Sequence, residues 1–296
     1  MQITSSTAGR SRRRNPLKSI TALTLTALAV LCNPAAAAPI LGSSLASFAV
    51  LGASGVTNVP VSTIGGNLGA GPSAAVGGGY VFSSGSLQAN NALAQQAQIE
   101  LDAAILAVNG KGPGNTIGAD LTGTITPGVY TVLAGVTNLS GALILDGGGS
   151  NSAVWAFLFP TTLITSTTST VSVVNVGDGA KVGLYWSVGT GATLNGNSFA
   201  GNVLATTISS SDGGLTMTCG RLLSSETQVT LNQDTISIGC GKAGDVGFGS
   251  GGYDQGAFVA SGGEGGSNGQ VVPEPGSLAL LGLGLAALGW ARRRQS

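Results

Sequence analysis

The sequence predicts an all-β-dominated fold: a three-sided parallel β-helix of uneven coils with one long α-helix packed alongside. Most of the central region consists of short β-rich segments separated by Gly, Asn and Ser, and a single segment has helical periodicity. Large apolar residues recur at a nearly constant spacing, in the columns Trp186–Leu204–Leu223 and Phe199–Met217–Ile236. Such columns indicate that each coil adds three short strands and stacks its inward residues on the previous coil.

The coils differ in length. Tyr130 and Phe157 extend the first column upstream, at a longer spacing than the later members of the column have. A third column, Leu194–Ile208–Leu231, is spaced less evenly than the other two. We therefore expect an irregular solenoid rather than a uniform repeat.

Residues 1–38 have the pattern of a secretion signal peptide. A basic stretch from Arg10 to Lys18 precedes an apolar run from Ile20 to Leu31, and a small-residue cleavage region, Ala35–Ala38, follows. Because the apolar run is too short to span a bilayer comfortably, we expect cleavage rather than anchoring. Two adjacent arginines in the basic stretch resemble a twin-arginine export motif, but Pro16 occupies the position of a bulky apolar residue. General export and twin-arginine export both stay open.

The segment with helical periodicity runs from about Leu87 to Asn109. Its apolar residues lie on one stripe at helical spacing, namely Leu93, Ala97, Leu101, Ala104, Ile105 and Val108. Gly110 and Pro113 end it. Its charged residues are Glu100 and Asp102, and it has no basic face, which favours docking on the β-helix over binding to a membrane surface.

The strands before Cys240 define three sides. The first side contains Leu184–Val188, Asn202–Ala205 and Arg221–Ser224. It is apolar on both faces in places, so we expect the helix to dock there. The second side contains Thr193–Asn195, Thr207–Ser209 and Thr230–Asn232, and the third side contains Ser198–Phe199, Thr216–Thr218 and Thr235–Ser237. In both of these sides the apolar residues alternate with Thr, Ser or Asn, so we expect rows of outward polar residues about 4.8 Å apart between coils.

The region from Pro39 to Val272 is poor in the side chains that carry catalysis and ion binding. It has no histidine, and four bases stand against eleven acids, hence a net charge of −7. Acid–base catalysis and metal ligation need clusters of such side chains, and an acidic body disfavours nucleic acid. We therefore expect no enzyme activity, no metal and no cofactor, and a function carried by a surface.

A polysaccharide-cleaving enzyme is the catalytic alternative, because β-helices can host paired carboxylates in a groove. The aspartates of the body mostly neighbour glycines, which is typical of turn residues that accept hydrogen bonds from local backbone donors. These aspartates are Asp120, Asp146, Asp178, Asp212 and Asp234.

Two cysteines, Cys219 and Cys240, stay in the chain after removal of the signal. In an oxidising compartment such a pair is more often a disulfide than two free thiols, so we expect a disulfide at the end of a domain that spans residues 39–240. No His or further Cys accompanies the pair to make a metal site. Residues 241–270 are rich in Gly and Ser and are typical of a flexible linker.

Residues 271–296 contain three parts in a fixed order: Pro273, Glu274 and Pro275, the apolar run Leu278–Trp290, and Arg292, Arg293 and Arg294. This segment resembles the PEP-CTERM sorting signal of Gram-negative bacteria. The basic cluster keeps the C-terminus cytoplasmic until processing. The resemblance implies the export machinery and an exosortase as partners, with transient membrane contact through a short C-terminal helix. It also implies a final location at the cell surface or in the extracellular matrix, after inner-membrane export.

A series of short motifs runs through the body: Phe48–Leu51, Gly66–Gly69, Thr126–Tyr130, Leu145–Gly149, Tyr185–Gly189, Phe199–Ala205, Gly220–Leu223 and Val229–Leu231. Together they resemble the widespread microbial ice-binding proteins, over about residues 41–240. The resemblance implies a discontinuous right-handed β-helix with a helix packed along it, and binding of ice by one flat threonine-rich face. Active members often carry a Thr-Ala/Gly-X-Thr/Asn motif, which Thr190–Thr193 satisfies.

The resemblance thus implies an ice crystal surface as the partner of one threonine-rich side. We favour the second side because the motif belongs to it, with the candidates Thr190, Thr193, Asn195, Thr207, Ser209, Thr230 and Asn232. The alternative face is the third side, with Ser198, Thr216, Thr218, Thr235 and Ser237. Threonine rows are also common on exposed strands for solubility and edge control. A matrix or adhesion protein that packs against exopolysaccharide therefore stays open as the alternative function.

Overall fold

The structure, a computed structural model, describes residues 39–177, 179 and 181–240. In chain order its elements are α1 (Ser43–Ala46), β1 (Phe48–Gly52), β2 (Gly55–Val59), β3 (Ser62–Gly65), β4 (Asn67–Ala70), β5 (Tyr80–Ser84), β6 (Leu87–Ala89), α2 (Ala92–Asn109), β7 (Asn115–Ile117), β8 (Gly123–Ile125), β9 (Gly128–Val132), β10 (Ala142–Asp146), β11 (Val154–Phe159), β12 (Leu163–Ile164), β13 (Thr170–Val174), β14 (Gly183–Thr193), β15 (Ser198–Ser209), β16 (Thr216–Ser224), β17 (Gln228–Asn232) and β18 (Thr235–Ser237). The predicted signal peptide, linker and sorting segment lie outside the described residues.

The strands form the three predicted sides of a parallel β-helix. In spatial order the first side is β7–β9–β11–β14–β15–β16–β1–β4–β6. The second side is β12–β14–β15–β17–β2, and the third is β8–β10–β13–β15–β16–β18–β3–β5. All of these pairings are parallel, and β14, β15 and β16 each continue around a corner from one side to the next. The predicted fold class is confirmed.

The spatial order of the coils differs from their order in the chain. The coil made by β1, β2 and β3 stacks on the coil made by β16, β17 and β18. We call this junction the seam. At the seam Val50 pairs with Leu222 and Ile64 pairs with Ile236, so strands from the two ends of the described chain are neighbours in space. The residues before α2 form the coils at one end of the stack, which we call the top. The residues after α2 begin at the other end, the bottom, with β7 and β8, and their coils continue to the seam.

The interior of the β-helix contains the predicted aromatic column. Tyr130, Phe157 and Trp186 occupy the same position on successive strands, and their rings stack with centroids 5.5 and 4.5 Å apart. Phe199 joins the stack from the third side, 4.9 Å from Trp186 between ring centroids. Offset stacking of this kind adds to the free energy gained by burying the rings.

Two predicted columns were wrong. In the third column, Ile208 pairs with Ala192 and Val229 rather than with Leu194 and Leu231. The first column was wrong by a single residue. Trp186 pairs with Val203, and Val203 pairs with Leu222, whereas Leu204 and Leu223 form the next position along. A shift of one residue moves a side chain to the other face of a strand. Leu204 and Leu223 are buried on the outer face of the first side, because this side is covered by α2 and is apolar on both faces.

Helix α2 docks on the first side as predicted, but it begins later than predicted. Its buried stripe, Ala94, Ala97, Leu101, Ala104 and Val108, packs with outer-face residues of the first side. The helix begins at Ala92, because the side chain of Asn91 caps it by accepting a hydrogen bond from the amide of Ala94 at 3.0 Å. Leu87–Ala89 instead forms β6. Neither described helix is long and apolar enough to cross a membrane.

A buried arginine joins the N-terminal segment to the first side. The guanidinium of Arg221 donates to the carbonyl oxygen of Ala46 at 2.6 and 3.1 Å, and to Oδ1 of Asn202 at 2.8 Å. The side-chain amide of Asn202 donates in turn to the carbonyl oxygen of Leu184 at 3.0 Å. Hydrogen bonds from a charged donor are strong in a buried site, so Arg221 holds α1 against the stack.

The corner between the third and first sides requires left-handed backbone in successive coils. Gly201 has φ +94°, and Cys219 occupies the equivalent corner of the next coil with φ +53°. Glycine adopts such values without steric cost, whereas a cysteine does not. Cys219 forms a disulfide with Cys240, which fixes the last described residue of the chain to this corner.

Candidate functional site

The second side presents outward polar residues in a register that differs from the predicted one. Thr193 pairs with Ser209, Ser209 pairs with Thr230, and Thr230 pairs with Thr57. The predicted row of Thr193, Thr207 and Thr230 is therefore wrong, because Thr207 pairs with Gly191 instead. The register between β14 and β15 shifts within the segment from Val188 to Gly191, and such an irregularity cannot be read from residue spacing.

A four-residue unit repeats on this side, with a hydroxyl residue at its first and fourth positions. The four stacked units are Thr190–Thr193, Thr206–Ser209, Thr227–Thr230 and Ser54–Thr57. The third residue of each unit is buried and the fourth points outward; the buried residues are Ala192, Ile208, Val229 and Val56. A fifth segment, Thr161–Ile164, has the same arrangement but ends in isoleucine.

The units form two hydroxyl columns. The strand column contains the fourth residues, Thr193, Ser209, Thr230 and Thr57. The corner column contains the first residues, Thr161, Thr190, Thr206, Thr227 and Ser54, at the corner between the first and second sides. Within the strand column the residues pair in register and follow the strand spacing of about 4.8 Å. The second side is thus a regular array of hydroxyl and methyl groups.

Hydrogen bonds between coils hold the corner column in place. The amide of Thr190 donates to the carbonyl oxygen of Thr161 at 2.9 Å, and the amide of Thr227 donates to that of Thr206 at 2.9 Å. The Thr206 hydroxyl donates to the carbonyl oxygen of Thr190. The amide of Ser54 donates to the carbonyl oxygen of Thr227 at 3.0 Å, which continues the column across the seam.

The strand column is also ordered by contacts between its own side chains. The Thr57 hydroxyl donates to the Thr230 hydroxyl at 3.2 Å, and the side-chain amide of Gln228 donates to the same Thr230 oxygen at 3.4 Å. A hydroxyl that takes part in such bonds still has lone pairs that can accept from water. The side chains of Thr57 and Thr230 are therefore held in one orientation while they keep the capacity to order water.

The predicted asparagines lie at the edge of the second side that faces the third. The Ser211 hydroxyl donates to Oδ1 of Asn195, and Nδ2 of Asn232 donates to the carbonyl oxygen of Ser211 at 3.2 Å. Asn232 pairs with Val59, whose side chain is exposed. This edge is consequently less regular than the two hydroxyl columns.

Sequence reasoning missed several residues of this surface, namely Ser54, Thr57, Thr161, Thr206 and Thr227. The signal that could have found Ser54–Thr57 is its match to the unit Thr227–Thr230, since both have the form hydroxyl–X–Val–Thr. The two segments lie near opposite ends of the described chain, and only the seam brings them together.

The third side carries the alternative rows, and the structure aligns them as predicted. One row contains Val81, Thr63, Thr235, Thr216, Ser198, Thr170 and Ala142. Thr218 and Ala200 belong to the next row, beside Ser237. Within the described residues, the hydroxyls of Thr216, Thr218 and Thr235 make no hydrogen bond to protein atoms. The third side is therefore longer than the second. Its Ser83 and Ser172 hydroxyls donate to carbonyl oxygens of neighbouring coils, but the hydroxyls of these three threonines are not held in this way.

The aspartates Asp120, Asp146 and Asp234 act as hydrogen-bond acceptors within a coil and between neighbouring coils. Asp120 accepts from the amide of Ser140 at 2.9 Å and also from its hydroxyl. Asp146 accepts from the backbone amide of Gly148 and the side-chain amide of Asn175, which lower the pKa of its carboxyl. The bond from Gly148 agrees with the predicted role of Asp146 in a turn, whereas Asp120 accepts from a residue of the neighbouring coil; Asp178 lies outside the described residues.

Asp234 is a buried acceptor at the corner between the second and third sides. It accepts from the amides of Asn232 and Leu215 and from the hydroxyl of Ser210, at 2.9 to 3.0 Å. Burial raises the pKa of the Asp234 carboxyl, against the opposite effect of these three donors. In the described part of the chain, no group of three or more His, Cys, Asp or Glu is placed to hold a metal.

A groove of about 770 Å³ runs between α2 and the first side, next to the corner column. Most of its lining is apolar, as at Leu106, Pro113 and Leu158, and its acidic lining residues are Asp102 and Glu226. No basic side chain or cysteine is among the described residues that line it. The groove therefore has no cationic group with which to hold an acidic polysaccharide.

Comparisons with known proteins identify two segments of the chain. Residues 50–237 match the model of a family described as ice-binding-like, and residues 271–294 match the PEP-CTERM protein-sorting motif. A curated relative, an ice-binding protein from Nostoc sp. (strain HG1), is 34% identical over 266 residues, which cover 88% of this chain and 89% of the relative.

Solved structures show the same fold. An ice-binding protein from the Antarctic ascomycete Antarctomyces psychrotrophicus is 29% identical with a TM-score of 0.58, covering 69% of this chain and 99% of that one. An ice-binding protein from an Antarctic biological consortium is 28% identical with a TM-score of 0.60, covering 68% of this chain and 91% of that one.

Proposed function

Because this chain belongs to the ice-binding-like family, we propose that it binds ice, and that it does so through its second side. The observation that carries the choice of side is the stack of four-residue units with hydroxyl residues at the first and fourth positions. The contact residues are those of the strand and corner columns, together with Thr207. Asn195 and Asn232 border the contact rather than forming its centre.

The chemistry of this surface suits ice. Ice presents a periodic array of oxygen atoms without net charge, so a matching surface needs regular spacing and both polar and apolar groups. Threonine supplies a hydroxyl and a methyl group, and its β-branching restricts χ1, which reduces the entropy lost on binding. The described outward residues of the second side include no charged side chain, so no strongly hydrated group competes for the water layer.

The second side is favoured over the third by the order of its side chains. Hydroxyl hydrogen bonds between coils hold the side chain of Thr206 to the carbonyl oxygen of Thr190, that of Thr227 to the carbonyl oxygen of Thr206, and that of Thr57 to the hydroxyl of Thr230. A side chain that is already fixed loses less entropy when it binds a crystal. The third-side hydroxyls of Thr216 and Thr235 have no such contacts within the described residues.

We also propose that the protein acts outside the cell, on the surface or in secreted polymer of a Gram-negative bacterium. The match of residues 271–294 to the PEP-CTERM sorting motif supports processing by an exosortase. Residues 1–38 serve as the signal peptide, residues 39–240 form the binding domain, residues 241–270 act as the linker, and residues 271–296 carry the sorting signal. The protein is not an enzyme in this account, and the acceptor roles of its aspartates support that.

The sorting motif also favours a second function, a matrix or adhesion protein that packs against exopolysaccharide. A single experiment separates the two functions. Residues 39–240 contain both hydrophobic clusters and the disulfide, so this segment is suitable for purification. Single ice crystals grown in its solution on a cold stage should become faceted, with a gap between the melting and freezing temperatures. Round discs in a concentrated, folded sample would contradict ice binding and leave the matrix function.

A further inference from the structure

The core of the β-helix is open at both ends in the described structure. At the top, Leu87 occupies the position above Leu68, and Phe82 the position above Ile64. Leu68 and Ile64 are completely buried, whereas Leu87 is 50% exposed and Phe82 is only partly buried. The inward residues Leu87 and Phe82 at the top end therefore keep one face in contact with water.

The bottom of the stack has the same property. Ile117 pairs with Val132, and Ile125 pairs with Leu145. Val132 and Leu145 are completely buried, but Ile117 and Ile125 are only partly buried although they pack on the core. Stacked-repeat proteins normally cover such ends with a polar capping unit. None of the described elements covers either end.

The strands at the ends also have free edges. In the described structure β6 pairs only with β4 and β5 only with β3, while β7 pairs only with β9 and β8 only with β10. Alternate backbone donors and acceptors of these strands face away from the stack, where they can pair with another strand. Both ends of the β-helix consequently offer parallel strands on the first and third sides.

The charged residues that commonly protect edge strands are scarce here. Residues 66–91, which make the two top coils, contain no Asp, Glu, Lys or Arg. Residues 115–127, which make the bottom coil, contain only Asp120, and its carboxylate is bonded to Ser140 of the coil above. Lysines and inward charges on edge strands are the usual means of preventing pairing between molecules.

The seam shows that one coil can stack on another without chain continuity. There Val50 lies on Leu222, Val56 on Val229 and Ile64 on Ile236, and the six paired residues are all completely buried. The contact joins strands on all three sides in parallel. A molecule placed with its bottom coil on the top coil of another would make this kind of contact on two of the three sides, with β7 on β6 on the first side and β8 on β5 on the third.

We propose that the chain associates head to tail with further copies of itself, the bottom coil of one molecule stacking on the top coil of the next. The direction follows from the strands, because a head-to-tail stack keeps all strands parallel and keeps each side in line with the same side of its neighbour. Such contacts are heterologous and propagate into open stacks rather than closing as dimers. The association goes beyond ice binding and can be measured in its absence.

Sedimentation velocity of the chain from residue 39 onward, and of residues 39–240 in parallel, tests the proposal. The weight-average mass should rise with concentration to about twice the monomer mass or more. Leu87→Lys blocks the top end and Ile117→Lys blocks the bottom end, so each variant alone should be monomeric. Ile99→Lys, which alters an exposed residue of α2, is the matched control and should associate like the unaltered chain.

Sedimentation of a mixture of the two blocked variants is the decisive experiment. Leu87→Lys retains a free bottom and Ile117→Lys retains a free top, so the mixture should form dimers and nothing larger. Ser83→Lys and Thr124→Lys, at exposed positions of β5 and β8, provide a second pair if either first variant fails to fold. An unaltered chain that stays monomeric up to high concentration overturns the proposal. A dimer that persists in Ile117→Lys alone also overturns it, because that result means top-to-top pairing.

Discussion

The hydroxyl of Thr57 donates to the hydroxyl of Thr230 at 3.2 Å across the seam, although the two residues lie near opposite ends of the described chain. This bond joins the N-terminal coil to the last coil on the second side. The hydroxyl array therefore depends on the discontinuous order of the coils. Two lengths of chain that are separated by α2 contribute to one surface.

Thr57 should contribute to ice binding as much as the threonines of the later coils. Replacing it by tyrosine puts a bulky ring in the strand column and should reduce the freezing gap of the protein. Thr63→Tyr alters an outward threonine of the same coil on the third side and is the matched control. The freezing gap is measured on a cold stage at equal protein concentration. Equal activity of Thr57→Tyr and the unaltered protein would show that the N-terminal coil lies outside the contact.

Leu204 should stabilise the docking of α2 rather than the interior of the β-helix. Leu204→Ala removes buried contacts to the helix cluster, and we expect a loss of about 2–5 kcal/mol in the free energy of unfolding. Hydrogen exchange should show that the amides of α2 lose more protection than those of the first side.

Val203→Ala is the control for this prediction, because Val203 is the neighbouring residue that faces the interior. In that variant, protection should fall on the strands without a preferential effect on α2. The same exchange pattern in both variants would mean that the assigned faces of this strand are incorrect.

The disulfide between Cys219 and Cys240 should contribute to the stability of the last coil. The two cysteines are separated by 21 positions in the sequence, and the chain-entropy model assigns a loop of this size about 3 kcal/mol. The double variant Cys219→Ser, Cys240→Ser should lose about this amount in a denaturant titration, and reduction of the unaltered protein should have the same effect. Unchanged stability after both treatments would contradict the prediction.

The stability of the protein should depend on the protonation of Asp234. Burial raises the pKa of its carboxyl above the unfolded value, so the folded state binds the proton more tightly than the unfolded state does. The resulting contribution to stability is full below the unfolded pKa and is lost as the pH rises through the folded pKa.

Asp234→Asn removes this titration. The free energy of unfolding of the unaltered protein should therefore decrease relative to that of the variant as the pH rises from about 4. Chemical denaturation at a series of pH values measures it. A difference that stays constant over the acidic range would contradict the prediction.

Much of the fold could be predicted from the sequence, because the relevant signals are local. The spacing of Phe199, Met217 and Ile236 indicated the correct column, and the stacked aromatic rings of Tyr130, Phe157 and Trp186 followed the predicted order. The large rings of Phe157 and Trp186 pack in the interior, but Tyr185 is buried on the outer face beneath α2, so the recurrence of aromatic residues along the stack and not their size alone identifies the inward face.

Other features could not be predicted because they depend on distant parts of the chain. Leu204 is as apolar as an interior residue, and only the docking of α2 explains its outward position. The sequence near Thr57 contains the four-residue unit but not the identity of the strand beside it. Leu87–Ala89 was predicted as helix because it continues the helical periodicity, yet pairing with β4 makes it a strand.

The measurement that tests the central claim most directly compares the freezing gap of Thr230→Tyr with that of Thr235→Tyr. Both residues are outward threonines of the last coil, on the second and third sides respectively. We predict that Thr230→Tyr loses most of the freezing gap, whereas Thr235→Tyr retains it. Loss of the gap in Thr235→Tyr with full activity of Thr230→Tyr would contradict the account and assign ice binding to the third side.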